Sequence, residues 1–281
     1  MRNPSRRNLS CNKSLKNPPH FLTLPRGHGF SLTALLLAWL AAAPVPVAGA
    51  QPGPLPPFTV KTADGNYAIT INTAQAPELQ NWATNQLAPV LVEWYPKIVA
   101  LLPSQGFTAP THFNLTLKPM DGVAYTSGTE VVANSRWLLT QLHGEAIGSL
   151  VHEMVHVVQQ FNGDNPGWLV EGTADYVRWF KYEPQSHGAD LVWLRKWHHF
   201  TPHYDASYRV SANFLNWVTE RYDPKIVTQL NAAMRADKYD ESLWRKYTGK
   251  TVEQLGGEWK QAIESQIASP PTASSAPDPA H

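Results

Sequence analysis

Ile147-Gly148-Ser149-Leu150-Val151-His152-Glu153-Met154-Val155-His156-Val157-Val158-Gln159 has two faces when wound as a helix. Ile147, Leu150, Val151, Met154, Val155 and Val158 recur at i, i+3, i+4, i+7, i+8 and i+11. That is the apolar stripe by which an amphipathic helix packs on a core. The opposite face carries Glu145, Ser149, His152, His156 and Gln159, and no Lys or Arg falls between Gly148 and Phe161. An ordinary solvated face is rich in Lys, Arg and Glu. Small or uncharged groups beside two histidines fit the wall of a cleft better. Residues four apart lie one helical turn apart on one face, so His152 and His156 can reach one metal ion. Glu153 sits beside them, placed to take a proton rather than to bind the metal.

Catalytic zinc takes three protein ligands and keeps one position open, so a third donor is required. Phe161–Gly167 is a turn-rich break, and a second helix starts near Trp168. Its polar face is narrow: Glu171, Asp175 and Arg178, against apolar Leu169, Val170, Ala174, Val177 and Phe180. A carboxylate on such a helix is costly to bury unless paired or metal-bound, which makes Glu171 the third-ligand candidate. Asp175, one turn on, is placed to accept a hydrogen bond from a ligand imidazole and fix its tautomer. Gly172 removes a side chain, which lets the two helices approach. The competing reading is a surface charge cluster of Glu171 and Asp175 with Arg178.

Outward from these helices, charge is unevenly spread over the 281 residues. Residues 1–50 hold Arg2, Arg6, Arg7, Lys13, Lys16 and Arg26, no acidic residue, and the only cysteine, Cys11. The remaining 231 residues carry 17 basic and 22 acidic groups, a net charge of −5. A cysteine-free remainder excludes a disulfide scaffold, a Cys zinc finger and a thiol enzyme. A mildly acidic chain is a poor nucleic-acid binder, and none is expected as a partner. The basic start runs to Arg26, an apolar stretch runs from Phe30 to Ala43, and Ala48-Gly49-Ala50 is a small-x-small cleavage pattern. This reads as a signal peptide over 1–50, cut before Gln51. The apolar run, about 14 residues against the roughly 20 that span a bilayer, is too short for an anchor. A secreted or periplasmic product without stable membrane association is expected.

Residues 51–57 form a Pro-rich lead-in, 58–268 the folded domain, and 269–281 a Pro/Ser/Ala tail expected to be disordered. Phe58–Lys61 and Tyr67–Asn72 alternate around Asp64-Gly65 as a hairpin does. A helical stretch over 77–102 is expected to be interrupted or kinked at Pro89 and Pro96. Phe113–Leu117 and Thr129–Ala133 read as strands, and the chain is mainly helical from Gln141. The fold class is therefore α+β, a small N-terminal sheet followed by a helical half that contains the HExxH helix. Trp217, Trp244 and Trp259 are expected to pack the C-terminal core. In Trp197–His203, the histidines His198, His199 and His203 invite a second-metal reading, but a solvated or cleft-rim loop fits better.

Four stretches in order carry a family resemblance: Met120–Gly128, His152–Gln159, Gly167–Arg178 with its Trp168-Leu169-Val170-Glu171-Gly172, and Tyr208–Leu215. Together they resemble the basic secretory protein family of plants and bacteria, peptidases of the zincin type whose third ligand is Glu. The similarity spans about residues 58–265. It implies a zincin-like fold, one Zn²⁺, secretion and proteolysis. The acidic balance after residue 50 departs from the family's name.

The reaction so implied is peptide-bond hydrolysis by a zinc endopeptidase acting on a polypeptide. His152, His156 and Glu171 would hold the ion, and Glu153 would act as general base. Tyr208 is the first candidate to stabilise the oxyanion, because the resemblance puts a Tyr at the head of the next helix; Tyr204 and His203 are alternatives. By zincin analogy the strand at Thr129–Ala133 is the sheet edge that pairs with substrate, assisted by Asn134 and Arg136. Met120–Gly128 would be a loop near the cleft. A non-catalytic zincin fold that binds carbohydrate or peptide is the competing function, kept open by eleven Trp and ten Tyr. Aminopeptidase activity is a third. The intact Glu153 favours catalysis. A monomer is expected.

Overall fold

The computed structural model describes residues 55–161, 163–196 and 203–268. The expectations for 1–50, for 269–281 and for Trp197–Pro202 lie outside the described residues. The first two strands, β1 (Phe58–Lys61) and β2 (Ala68–Asn72), pair antiparallel about the turn at Gly65, as expected. Gly65 takes φ 73°, a conformation glycine adopts without steric cost.

The 77–102 stretch is helical but not uniform. A 3-10 turn at Pro77–Leu79 leads into α1 (Gln80–Trp82), a π-helical turn over Ala83–Leu87, and α2 (Ala88–Leu101). Pro89 lies in the first turn of α2. It has no N–H to give to the preceding turn, which is where the ladder widens. Pro96 is accommodated inside α2 and does not end it.

β3 (His112–Lys118), β4 (Ala124–Ser127) and β5 (Glu130–Asn134) complete a five-stranded sheet in the order β1-β2-β3-β5-β4. β2–β3 and β3–β5 are parallel, while β4–β5 is antiparallel. Phe113, Leu115 and Leu117 are buried at alternate positions of β3, the period-two pattern of a one-sided core. One expectation is corrected here. The Thr129–Ala133 strand is not an edge: β5 is paired on both sides, and β4 ends the sheet. Part of the segment read as a loop, Met120–Gly128, is that edge strand. The order of pairing is a long-range matter that strand propensity leaves open.

The helical half comprises α3 (Ser135–Thr140), α4 (Ala146–Gln159), α5 (Gly167–Val177), α6 (Leu191–Lys196), α7 (Tyr208–Arg221), α8 (Ile226–Arg235), α9 (Ser242–Thr248) and α10 (Val252–Ala268). A π-helical turn, Arg178–Tyr182, continues α5. The stripe Leu150, Val151, Met154, Val155 and Val158 of α4 is buried as its periodicity required. The C-terminus of α4 is closed by Arg235 of α8. Its guanidinium donates to the carbonyls of Val158 (2.9 Å) and Gln159 (3.1 Å) and lies 3.6 Å over the Phe107 ring. A cation there offsets the negative end of the helix.

Gly172 does permit a close approach, but by α7 rather than α4. A Cβ at Gly172 would stand 2.6 Å from Ser211 Cβ and 3.4 Å from Leu215 Cδ1. Gly172→Ala should therefore lower stability by about 1–3 kcal/mol through overpacking, outweighing the roughly 1 kcal/mol that Ala gains in helix propensity. Urea denaturation checks this; a raised midpoint would show that α7 gives way freely.

Trp244 and Trp259 are fully buried around Phe214, with ring centroids 5.7 and 5.9 Å from it. Trp259 Nε1 donates to Asn213 Oδ1 at 2.8 Å, and Trp217 is buried too. Among the described residues, no helix is long and apolar enough to cross a membrane.

Candidate metal centre

His152 and His156 project from the middle and last turns of α4, and Glu171 from the second turn of α5. Their inner atoms converge: His152 Nε2 lies 3.1 Å from His156 Nε2 and 3.2 Å from Glu171 Oε2, and His156 Nε2 lies 3.5 Å from the same oxygen. Four donors placed tetrahedrally at zinc bond lengths of about 2.0–2.1 Å stand about 3.3 Å apart. The three side chains thus have the spacing of three corners around such an ion. Among the described residues no other group of three His, Cys, Asp or Glu side chains does this.

The outer nitrogens explain why the inner ones face inward. His152 Nδ1 lies 2.7 Å from Asp175 Oδ1 and His156 Nδ1 lies 2.7 Å from Gln159 Oε1. Each acceptor favours a proton on Nδ1, so the Nε2 atoms that face the common centre are the ones a metal ion would take in place of a proton. Gln159 in turn donates to the Val170 carbonyl at 3.1 Å, which ties α4 to the residue before Glu171. Asp175 stands where the sequence placed it. The role of Gln159 was missed; its only signal was its place on the polar face of α4, one turn past His156.

Electrostatics favours a cation at this point. Burial opposes charge on His152, but hydrogen bonds with Asp175 and Glu171 outweigh it and push its pKa up to about 10. Burial also works against charge on Glu171, yet both histidines outweigh it and hold its carboxyl far below the usual range. Arg178 does not compete for Glu171 or Asp175. It pairs with Glu183 (2.7 Å) and Glu145 (3.0 Å), and the pair leans against α4 at Gly148, where a Cβ would meet Arg178 Nε at 2.7 Å. The surface-cluster alternative is thereby replaced by a separate ion network that also holds Arg209 of α7 to Glu145.

Glu153 is 7% exposed and turned toward the sheet. Thr126 of β4 donates its hydroxyl to Glu153 Oε2 at 2.6 Å. Thr126 lies in the Met120–Gly128 stretch, but nothing in the residues themselves singled it out. Tyr208 opens α7, is 45% exposed, and lies nearly parallel to the His152 ring with centroids 6.1 Å apart. Its two alternatives are engaged with other partners. Tyr204 is packed with Trp168 and Phe214, and burial with nearby acids pushes its pKa up to about 12. His203 is bonded to Asp205. Asn134 caps α3, accepting from the Arg136 N–H and donating to the Gly122 carbonyl; Arg136 is exposed.

A comparison with curated proteins found no match. Among solved structures, the chain is similar to a two-domain M1 zinc metallopeptidase bound to L-tryptophan, at 15% identity over 80% of this chain and 54% of that one, with TM-score 0.44. It is also similar to an M1 zinc metallopeptidase from Deinococcus radiodurans bound to a Tyr-Ser-Ala substrate, at 15% identity over 80% and 54%, with TM-score 0.40. The chain spans about half the length of these structures. Residues 77–259, which contain all four candidate ligand and base residues as well as Thr126, Gln159 and Asp175, match the family model for BSP, peptidase of plants and bacteria. The chain belongs to that family of peptidases.

Proposed function

We propose that this protein is a zinc-dependent endopeptidase of zincin type, exported from the cell through residues 1–50. The observation that carries the reading is the convergence of His152, His156 and Glu171 at tetrahedral spacing, with Glu153 the residue after His152 on the same helix. These three side chains would hold the ion; two imidazoles and one carboxylate suit zinc, and the fourth position stays open. When bound, zinc supplies Lewis acidity that acidifies a water and polarises the scissile carbonyl.

The chain's own residues supply the rest. Glu153 takes the proton of the attacking water and passes it to the leaving amine. Asp175 and Gln159 keep the imidazoles in one tautomer. Tyr208, on the exposed side of His152, donates to the developing oxyanion. The open edge of β4, not β5, receives the extended substrate by strand addition. The intact base and its hydroxyl partner favour this reading over a pure binding module, which has no use for a proton shuttle.

Zinc removal tests it. The full chain, stripped by a chelator, should lose cleavage of unfolded casein and regain it with stoichiometric Zn²⁺. Cleavage that survives complete removal of metal would end the assignment.

A further inference from the structure

Thr126 stands at two boundaries at once. Its hydroxyl donates to Glu153 Oε2 at 2.6 Å and lies 3.2 Å from the Glu153 main-chain carbonyl. Its backbone belongs to the strand that ends the sheet. The orientation of that backbone follows from register. β4 and β5 pair Ala124 with Ala133, Tyr125 with Val132, Thr126 with Val131 and Ser127 with Glu130. One residue before, the Asn134 N–H donates to the Val123 carbonyl at 2.8 Å. In an antiparallel ladder, hydrogen-bonded pairs alternate with non-bonded ones. Counted from Val123–Asn134, the pairs of Tyr125 and Ser127 are bonded. Ala124 and Thr126 therefore turn their N–H and C=O away from β5, toward the open edge. β4 is only four residues long and hangs between Gly122 (φ 79°) and Gly128 (φ 60°).

We propose that Thr126 is a positioning residue that couples engagement of a peptide backbone to the alignment of Glu153. Its main chain pairs with the substrate strand, while its hydroxyl fixes Oε2 and leaves Oε1 for the proton. β4 is backbone-paired on one side only; a peptide pairs its other side and so steadies the Thr126–Glu153 bond already in place. A substrate too short to reach β4 lacks this ordering. The inference rests on the peptidase reading and extends it to substrate length: extended polypeptides are turned over faster, not merely bound more tightly.

The test uses the zinc-loaded full chain as wild type, Thr126→Val and Thr126→Ser, with a casein-derived peptide that wild type cleaves and truncations of it on each side of the cleaved bond. Thr126→Val should lower kcat on the full peptide by about 10–100-fold, the worth of a hydrogen bond to a charged group, with KM and zinc content unchanged. Thr126→Ser should restore kcat. Truncation should lower kcat in wild type and cost Thr126→Val no more. Wild-type kcat in Thr126→Val, zinc loss from it, or an equal truncation penalty in both would overturn the coupling. Amide exchange in the Glu153→Gln chain gives a readout apart from turnover. Added peptide should slow the Ala124 and Thr126 amides and leave Tyr125 and Ser127 as they were; the reverse pattern would overturn the edge assignment. A zinc-loaded wild type that cleaves no polypeptide would instead sink the peptidase reading, and the exchange pattern would still decide the edge.

Discussion

Glu153→Gln is expected to lower kcat on unfolded polypeptide by about 10²–10⁴-fold, the range general-base catalysis contributes, while the chain keeps its zinc. The two side chains are nearly isosteric, and the Gln carbonyl can still accept the Thr126 hydroxyl now 2.6 Å from Oε2. What is lost is the ability to hold a proton and return it to the leaving amine. Glu153 itself is buried, only 7% exposed, so bulk water is a poor substitute for the missing carboxylate. Metal analysis and steady-state kinetics on the same preparation check this. Equal turnover by the variant would remove Glu153 from the mechanism, whereas loss of zinc would make it a ligand instead of a base.

Glu171→Ala should abolish stoichiometric zinc binding. Two imidazoles alone leave the ion with one protein donor too few. The loss should exceed the about 10–100-fold that changes behind the ligands cost, so dialysis at micromolar zinc should strip the variant and not the wild type. Removal of the carboxylate also takes away the acceptor 3.2 Å from His152 and 3.5 Å from His156. Thermal unfolding gives an independent measure, because an ion bound only by the folded state raises its stability with concentration. Wild-type Tm should rise with added zinc, while the variant's should not. Undiminished stoichiometry in Glu171→Ala would refute the ligand assignment.

The periodicity of residues 147–159 determined a great deal unaided. It placed a buried stripe and a polar face on one helix, and the i, i+4 spacing put His152 and His156 within reach of one point, because helical geometry is local and repeats every turn. Glu171 and Asp175 were legible for a related reason: an apolar helix with two carboxylates one turn apart must give each a partner. The α+β order, the β1–β2 hairpin and the tryptophans of the C-terminal core were readable in the same way, since burial leaves a pattern in the residues that undergo it. Other decisions belonged to the tertiary structure alone. Sheet order made β4 the edge and placed β5 inside, because strand pairing joins segments that sequence distance does not rank. Gly172 serves α7 instead of α4, and Arg178 answers Glu145 and Glu183 instead of Glu171, because both depend on which helices meet. Thr126 and Gln159, the side chains bonded to Glu153 and His156, carry no charge or periodicity that marks them. A hydroxyl or an amide gains its role only from what the fold sets within 3 Å of it.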